Sequence, residues 1–285
     1  SITVDHKQQV SIRAGAAFFQ ITAMDSEDYP ELPDVNGKSG VTMPQSALKA
    51  MISGTIFSVS ENQARPIQTG CLMEVTEDSV TMVAVDSFRL ARRTWHTENA
   101  ANHTLKFVVP AAGLKEIERI LEDSDEPVTF TLGDKHILFS IGDALLVSRV
   151  LEGEFIDWRR VVPTNCGTVL TANVAELTSS IERVSLIISE KVKSPVRCVF
   201  GDNMADFRTA NTIGSAHDTC SIAGNGGELE IGFNSRYLLD ALRVIPSEEV
   251  TLELQNGLSP IVFTPCDDKY DFAYMVLPVR LRSNS

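Results

Sequence analysis

Five cysteines (Cys71, Cys166, Cys198, Cys220, Cys266) and five histidines (His6, His96, His103, His136, His217) are the side chains of this 285-residue chain best suited to metal ligation or nucleophilic attack. Their spacing supports neither. There is no CxxC pair, and an odd, unpatterned cysteine set reads as buried or idle thiols in a reducing cytoplasm, without a zinc site or disulfide framework. The histidines sit apart from one another and from the cysteines, so each reads as a surface or strand residue. Carboxylates cluster as "DSEDYPELPD", "LEDSDE" and "CDDKYD", all in loops, where solvated charge is the simpler reading. A polymerase or nuclease would need carboxylates able to hold two metals about 3.5–4 Å apart, and no such pattern occurs. P-loop, HExxH and GxSxG motifs are absent, and "AGNGG" at Ala223–Gly227 leads into a strand, so it reads as a hairpin turn rather than a phosphate cradle. Asn102-His103-Thr104 is an incidental sequon. No catalytic residue, metal site or cofactor is expected.

The elements that could position a binding site are clearer. Residues 2–24 give two extended runs, "ITVDHKQQVSIRAG" and "AAFFQITAM", joined at Ala14-Gly15. The acidic, proline-bearing "DSEDYPELPDVNGKSG" then reads as a linker. "VTMPQSALKAMISGTIFSVS" predicts a helix with Leu48, Met51 or Ile52, and Thr55 on one face, followed by the strands "PIQTGCLMEV", "SVTMVAVD", "FRLARRTWH" and "TLKFVVP". A second helix, "AAGLKEIERILED", precedes three strands. The order then returns. Val174, Leu177, Ile181, Val184 and Ile188 mark an amphipathic helix. Strands follow near 196–200, 204–210, 214–223 and 228–233, then a helix capped by Asn234, then three strands. The halves also align in letters: "VTFTLGDKHILFSIG" answers "VTLELQNGLSPIVFT", and "LKFVVPAAGLKEI" answers "LEIGFNSRYLLDAL". The chain therefore reads as an α+β protein with a duplicated domain, two helices packed on antiparallel sheet in each copy, and an opening hairpin left from a third copy. The opening lacks a basic-then-apolar signal and begins in what reads as mid-sheet, as a fragment would, and no apolar run approaches a membrane span.

With 43% hydrophobic residues the cores are well supplied, and the net charge of −13 taken alone argues against nucleic acid. Distribution can override the total. The helices carry Lys49, Lys115, Arg119, Arg183, Arg236 and Arg243, with Lys191 and Lys193 following the third. Two readings stand: a basic helical face with an acidic rim, or ordinary pairs with Glu116, Glu118 and Glu182. The tail "DFAYMVLPVRL" is the other distinctive stretch. It starts as a strand that Pro278 should end, and its apolar side chains need cover.

Together, "SEDYPELP", "VDSFRLARR", "EGEFIDWRRVVP", "ISEK", "ELEIGFNSRYLLDAL" and "YMVLPVRL" make nearly the whole chain resemble the bacterial DNA polymerase III beta subunit family, the sliding clamps. The resemblance implies a DNA-clamp fold with 1–34 as the last strands and linker of an incomplete first domain, 35–160 as the middle domain and 161–285 as the C-terminal one. It implies a non-enzymatic processivity factor of cytoplasmic DNA replication. Two full-length subunits would close around duplex DNA, helices inward, and tether the polymerase III catalytic subunit, the clamp loader and other proteins with clamp-binding motifs. No membrane partner is implied.

By matching motifs, the resemblance places a partner-peptide cleft at Val85, Arg89, Leu90, Arg160, Val161, Asn234, Tyr237, Leu258, Pro260 and the tail residues Met275, Val276, Leu277, Pro278, Val279, Arg280 and Leu281: an apolar slot edged by two arginines. DNA contacts would be Arg65, Lys115, Arg119, Arg183, Lys191 and Arg236, and Leu186 and Ile187 would meet the second subunit. Three departures stand out. Gln68 replaces a commonly apolar wall residue, Arg282 to Ser285 extend past the usual end, and most of the first domain has no counterpart, so the chain alone is not expected to close a ring. A peptide-binding adaptor that no longer encircles DNA is the alternative.

Overall fold

Period-two strands and 3.6-period helices alternate in the structure, a computed structural model that describes residues 1–28, 33, 35, 40–98, 104–189 and 194–281. Two compact bodies result, Ser1–Asp34 and Val35–Ser285. The first is a three-stranded antiparallel sheet, β1 (Ile2–Val4), β2 (Gln9–Ala14) and β3 (Ala17–Thr22). The first extended run is thus two strands, not one. Asp5 breaks it by accepting the Lys7 and Gln9 amides at 2.8 and 2.9 Å. Most of the expected linker lies outside the described residues.

The second body opens with β4 (Gly40–Pro44) and α1 (Gln45–Ser53). The meander β5 (Gly70–Val75), β6 (Ser79–Val85), β7 (Arg89–His96) and β8 (Leu105–Pro110) follows. Then come α2 (Ala111–Ile120), β9 (Pro127–Leu132), β10 (His136–Ile141) and β11 (Ala144–Arg149). The second half repeats the plan with β12 (Thr168–Asn173), α3 (Val174–Ser185), β13 (Val196–Ala210), β14 (Ser215–Phe233), α4 (Ser235–Leu242), β15 (Glu249–Leu254), β16 (Ile261–Pro265) and β17 (Phe272–Val276). Both halves therefore begin with a strand that the sequence reading missed. "VTMP" had been merged into the first helix, but Pro44 is extended, at φ −62° and ψ 142°, and the helix starts only after it. Asn173 and Asn234 cap α3 and α4 by accepting the Glu176 and Arg236 amides, each at 3.0 Å.

"AGNGG" is not a hairpin turn. It lies inside β14, where register with β13 shifts from Phe200↔Leu229 through Asp202↔Asn225 to Met204↔Ser221. Four extra residues on one strand make a bulged corner. Gly226 is forced there, since a Cβ would stand 2.2 Å from the Phe200 carbonyl oxygen, and Gly227 adopts φ +62°.

One ten-stranded antiparallel sheet, ordered β13-β14-β12-β15-β16-β17-β7-β6-β5-β8, runs through both halves, while β11-β10-β9-β4 form a second sheet. The seam is β17 against β7, from Phe272↔Arg93 to Val276↔Arg89. Alternation then sorts the side chains. Cys71, Met73, Met82 and Ala84 pack with Leu48, Ile52, Leu114 and Ile117 of α1 and α2. Ala91, Phe272, Tyr274 and Val276 pack with Ile181, Leu238 and Leu242 of α3 and α4. Leu72, Val83, Val85, Leu90, Val262, Ala273 and Met275 face the other way. All four helices thus cover one face of a continuous sheet.

Candidate partner-binding site

On the face away from the helices, the seam carries its own apolar cluster. Val85, Leu90 and Met275 from β6, β7 and β17 meet Phe155, Trp158, Val161 and Val162 from the segment joining the halves, and Leu277 from the tail. The expected residues Val85, Leu90, Val161, Met275 and Leu277 are therefore brought together. Val85, Leu90 and Met275 are buried, however, so they are the floor of this site rather than an open wall. Val276 points the opposite way, into the helix-side core with Tyr274, because successive strand residues alternate faces.

Arg89 also departs from expectation. It faces the helix side, where its guanidinium bonds Asp86 at 3.1 Å and Asp240 at 2.6 Å and lies over the Tyr237 ring, 4.6 Å from its centroid. Held by two carboxylates and 10% exposed, it joins the halves and is not a cation offered at an edge. Arg160 is open, with its side chain 87% exposed and paired with Asp157 at 3.0 Å. Asn234 is engaged as a helix cap. Leu258 stands exposed at a loop tip, and half-buried Pro260 precedes the Ile261↔Val276 pair.

The tail does not come free at Pro278. The Leu277 amide donates to the Phe88 carbonyl at 2.8 Å, and the Val279 amide donates to that of Gly232 at 2.7 Å. Val279, Arg280 and Leu281 thus lie across β14 and border a groove with Arg197, Arg208, His217 and Glu230. Phe88 is the residue the sequence reading missed. It is 53% exposed and stacks on Tyr237, with centroids 5.7 Å apart. A large aromatic in the tight turn of "VDSFRLA" was the available signal, since Asp86 accepts the Phe88 and Arg89 amides there.

On the helix face, the basic and acidic residues of α1 to α4 balance at five each. Lys49 pairs with Asp123, Arg119 with Glu116, Arg183 with Asp218 and Arg236 with Asp240. Arg243, just past α4, bonds Glu182 at 2.9 Å. Pairing, not a segregated basic face, is what the fold produces. Lys115 and Arg65 are exposed, and Lys191 lies outside the described residues. Leu186, at the end of α3, is 83% exposed, and the Ile187 carbonyl accepts from Asn211 at 2.9 Å.

Among the described residues no group of three or more His, Cys, Asp or Glu is placed to hold a metal. Burial pushes the Cys71 thiol up to about 12 and Cys220 to about 11, and raises Cys198 further, so these thiols stay protonated. The described helices include none long and apolar enough to cross a membrane.

Residues 42–157 match the family profile of the DNA polymerase III beta subunit central domain, and residues 159–280 match that of its C-terminal domain. The chain belongs to the DNA polymerase III beta subunit family. A beta sliding clamp from Staphylococcus epidermidis is 29% identical over 281 residues, covering 98% of this chain and 74% of that protein. Among solved structures, the DNA polymerase sliding clamp from Bacillus subtilis aligns with TM-score 0.91 and 29% identity, covering 99% of this chain and 74% of that one. The DNA polymerase III subunit beta from Pseudomonas aeruginosa aligns with TM-score 0.91 and 29% identity, covering 98% and 76%. The α+β clamp fold is thereby shared, and the chain is a non-catalytic replication clamp rather than a polymerase in its own right. Against that family, the Gln68 side-chain oxygen is buried without a partner among the described residues, beside the half-buried Ile67 of the seam cluster.

Proposed function

We propose that this clamp acts as a processivity factor in the cytoplasm, encircling duplex DNA as a ring of two full-length subunits. In this reading 35–160 and 161–285 are its middle and C-terminal domains, 1–34 are the closing strands of a first domain, and Leu186 and Ile187 meet the second subunit. The carrying observation is the continuous ten-stranded sheet with the four described α-helices on one face and an apolar seam on the other. That division gives separate surfaces to DNA and to partners. The polymerase III catalytic subunit, the clamp loader and other motif-bearing proteins would dock by a short apolar segment over the seam. The buried floor implies that anchors engage its accessible rim: Phe88, Leu258, Leu277 and Val279, with Arg160 alongside.

Arg65, Lys115, Arg119, Arg183, Lys191 and Arg236 are the proposed DNA contacts. An exposed pair such as Arg119–Glu116 is worth only about 0–1 kcal/mol, so phosphate can displace the carboxylate. The equal count of acidic and basic helix residues specifically favours the second reading, an adaptor that binds peptides without holding DNA. Salt-dependent retention on nicked circular and on linear duplex separates the two. The full-length dimer should stay on circles at salt that strips it from linear DNA, and equal loss from both would end the ring reading. For the cleft, Phe88→Ala should weaken a peptide with Leu and Phe anchors by about 1–3 kcal/mol in calorimetry. Unchanged affinity would misplace the rim.

A further inference from the structure

Among the described residues, Glu74 is the one charged side chain in the buried set, at 6% exposed. It stands on β5 two residues after Leu72 and so shares the face of the apolar seam cluster. Its Oε2 accepts from Trp158 Nε1 at 3.2 Å and from an Arg159 guanidinium nitrogen at 2.9 Å, while Lys106 Nζ lies 3.3 Å from Oε1. Arg159 also lies over the Trp158 ring, 4.3 Å from its centroid, and Arg92 lies at 5.8 Å. Burial alone would raise the Glu74 carboxyl. The bonds from Arg159, Trp158 and Lys106 outweigh it and hold the group below its ordinary value, ionised at neutral pH.

A hydrophobic residue in that place could be at least as stabilising, because buried charges lose their hydration. What a carboxylate adds is direction. One oxygen, Oε2, fixes where the indole and guanidinium must lie, and so fixes the turn Trp158–Arg160 on the sheet, while Oε1 faces Lys106. The amides of Val161 and Val162 both donate to the Trp158 carbonyl, at 3.1 and 3.2 Å, so the pinned turn sets the next two residues as well. Val161 and Val162 then pack into the seam, and Arg160 is left pointing to solvent.

We propose that Glu74 is a positioning residue for the partner cleft, pinning the crossing turn so that Arg160 and Val161 form one wall. The inference rests on the cleft reading above and adds the group that shapes it. Glu74→Gln keeps the shape but turns an NH2 toward one of three donors, and Trp158→Phe removes one bond and leaves the carboxylate. Each should weaken a Leu/Phe-anchored peptide about tenfold in calorimetry, the effect of one lost charge-assisted bond. Hydrogen exchange at the Val161 and Val162 amides should quicken, while Val83 in β6 should be unchanged. Combined with Val161→Ala, Glu74→Gln should add nothing to the affinity loss, whereas with Leu258→Ala the two losses should add. Faster exchange at Val161 with unaltered peptide affinity would overturn the proposal, leaving Glu74 purely structural. Unaltered exchange would also overturn it, since the turn would then not be pinned. A parent protein that does not bind the peptide would instead remove the cleft reading itself.

Discussion

Replacing Gly232 by Ala tests how the tail is held. Gly232 sits in extended β14 paired with Arg197, so the backbone there accepts any residue. What it lacks is room. A Cβ would lie 2.6 Å from Leu281 Cδ2, 2.9 Å from Leu281 Cγ and 2.8 Å from the Val279 carbonyl oxygen. Carbon contacts are comfortable at about 3.5–4.0 Å, so the tail must retreat by roughly 1 Å. That movement stretches the 2.7 Å bond from the Val279 amide to the Gly232 carbonyl, the one backbone tie described beyond Pro278. A lost hydrogen bond of about 0.5–1.5 kcal/mol adds to partial exposure of Leu281, giving about 1–3 kcal/mol of local destabilisation. The β14 strand itself gains about 0.5–1 kcal/mol from Ala over Gly, so global stability should barely change. Hydrogen exchange should show the Val279 amide opening about tenfold or more while β14 amides keep their protection, and affinity for the anchored peptide should fall. A Val279 amide as protected as in the parent would refute the reasoning, because the tail would not be resting on that glycine.

Two further outcomes follow from the seam. Arg89→Met should leave Asp86 and Asp240 without their shared cation and lower unfolding free energy by about 3 kcal/mol in urea titration. A loss under about 1 kcal/mol would show the pair to be incidental. Asp271, at the other end of β17, is raised by burial but lowered more by Arg92 and His96, so its folded value lies below the ordinary carboxylate range. A depressed folded value gives stability that is present above the unfolded value of about 4 and lost as pH falls through the folded one. Asp271→Asn should therefore flatten that part of the acid melting profile, and a parent-like profile below pH 4 would show that another carboxylate carries it.

The helices were legible because their periodicity is a local property. Leu48, Ile52, Leu177, Ile181 and Val184 were placed by spacing alone, and all are buried. Asn234 was readable as a cap because capping needs only its own side chain and an amide two residues on. The opening strands of each half were harder. "VTMP" and "TVLTAN" are short and run straight into helices, and what makes them strands is pairing with distant β9 and with β14 and β15.

By itself, then, the sequence determined the duplicated α+β plan, the apolar stripes of the helices, the absence of any catalytic motif and the family resemblance, since each is written in neighbouring residues. Only the tertiary structure decided which way each site residue points. Arg89 and Leu90 are adjacent in sequence, yet the pleat sends one to the helix side, between Asp86 and Asp240, and the other to the seam. Glu74 read as one more strand residue until β5, β8 and the turn Trp158–Arg160 surrounded it with donors. The balance of charge on the helices was likewise open until folding brought carboxylates such as Asp218, from another element, beside their cations. Pair energies depend on distances between elements far apart in the chain, and the fold sets those distances.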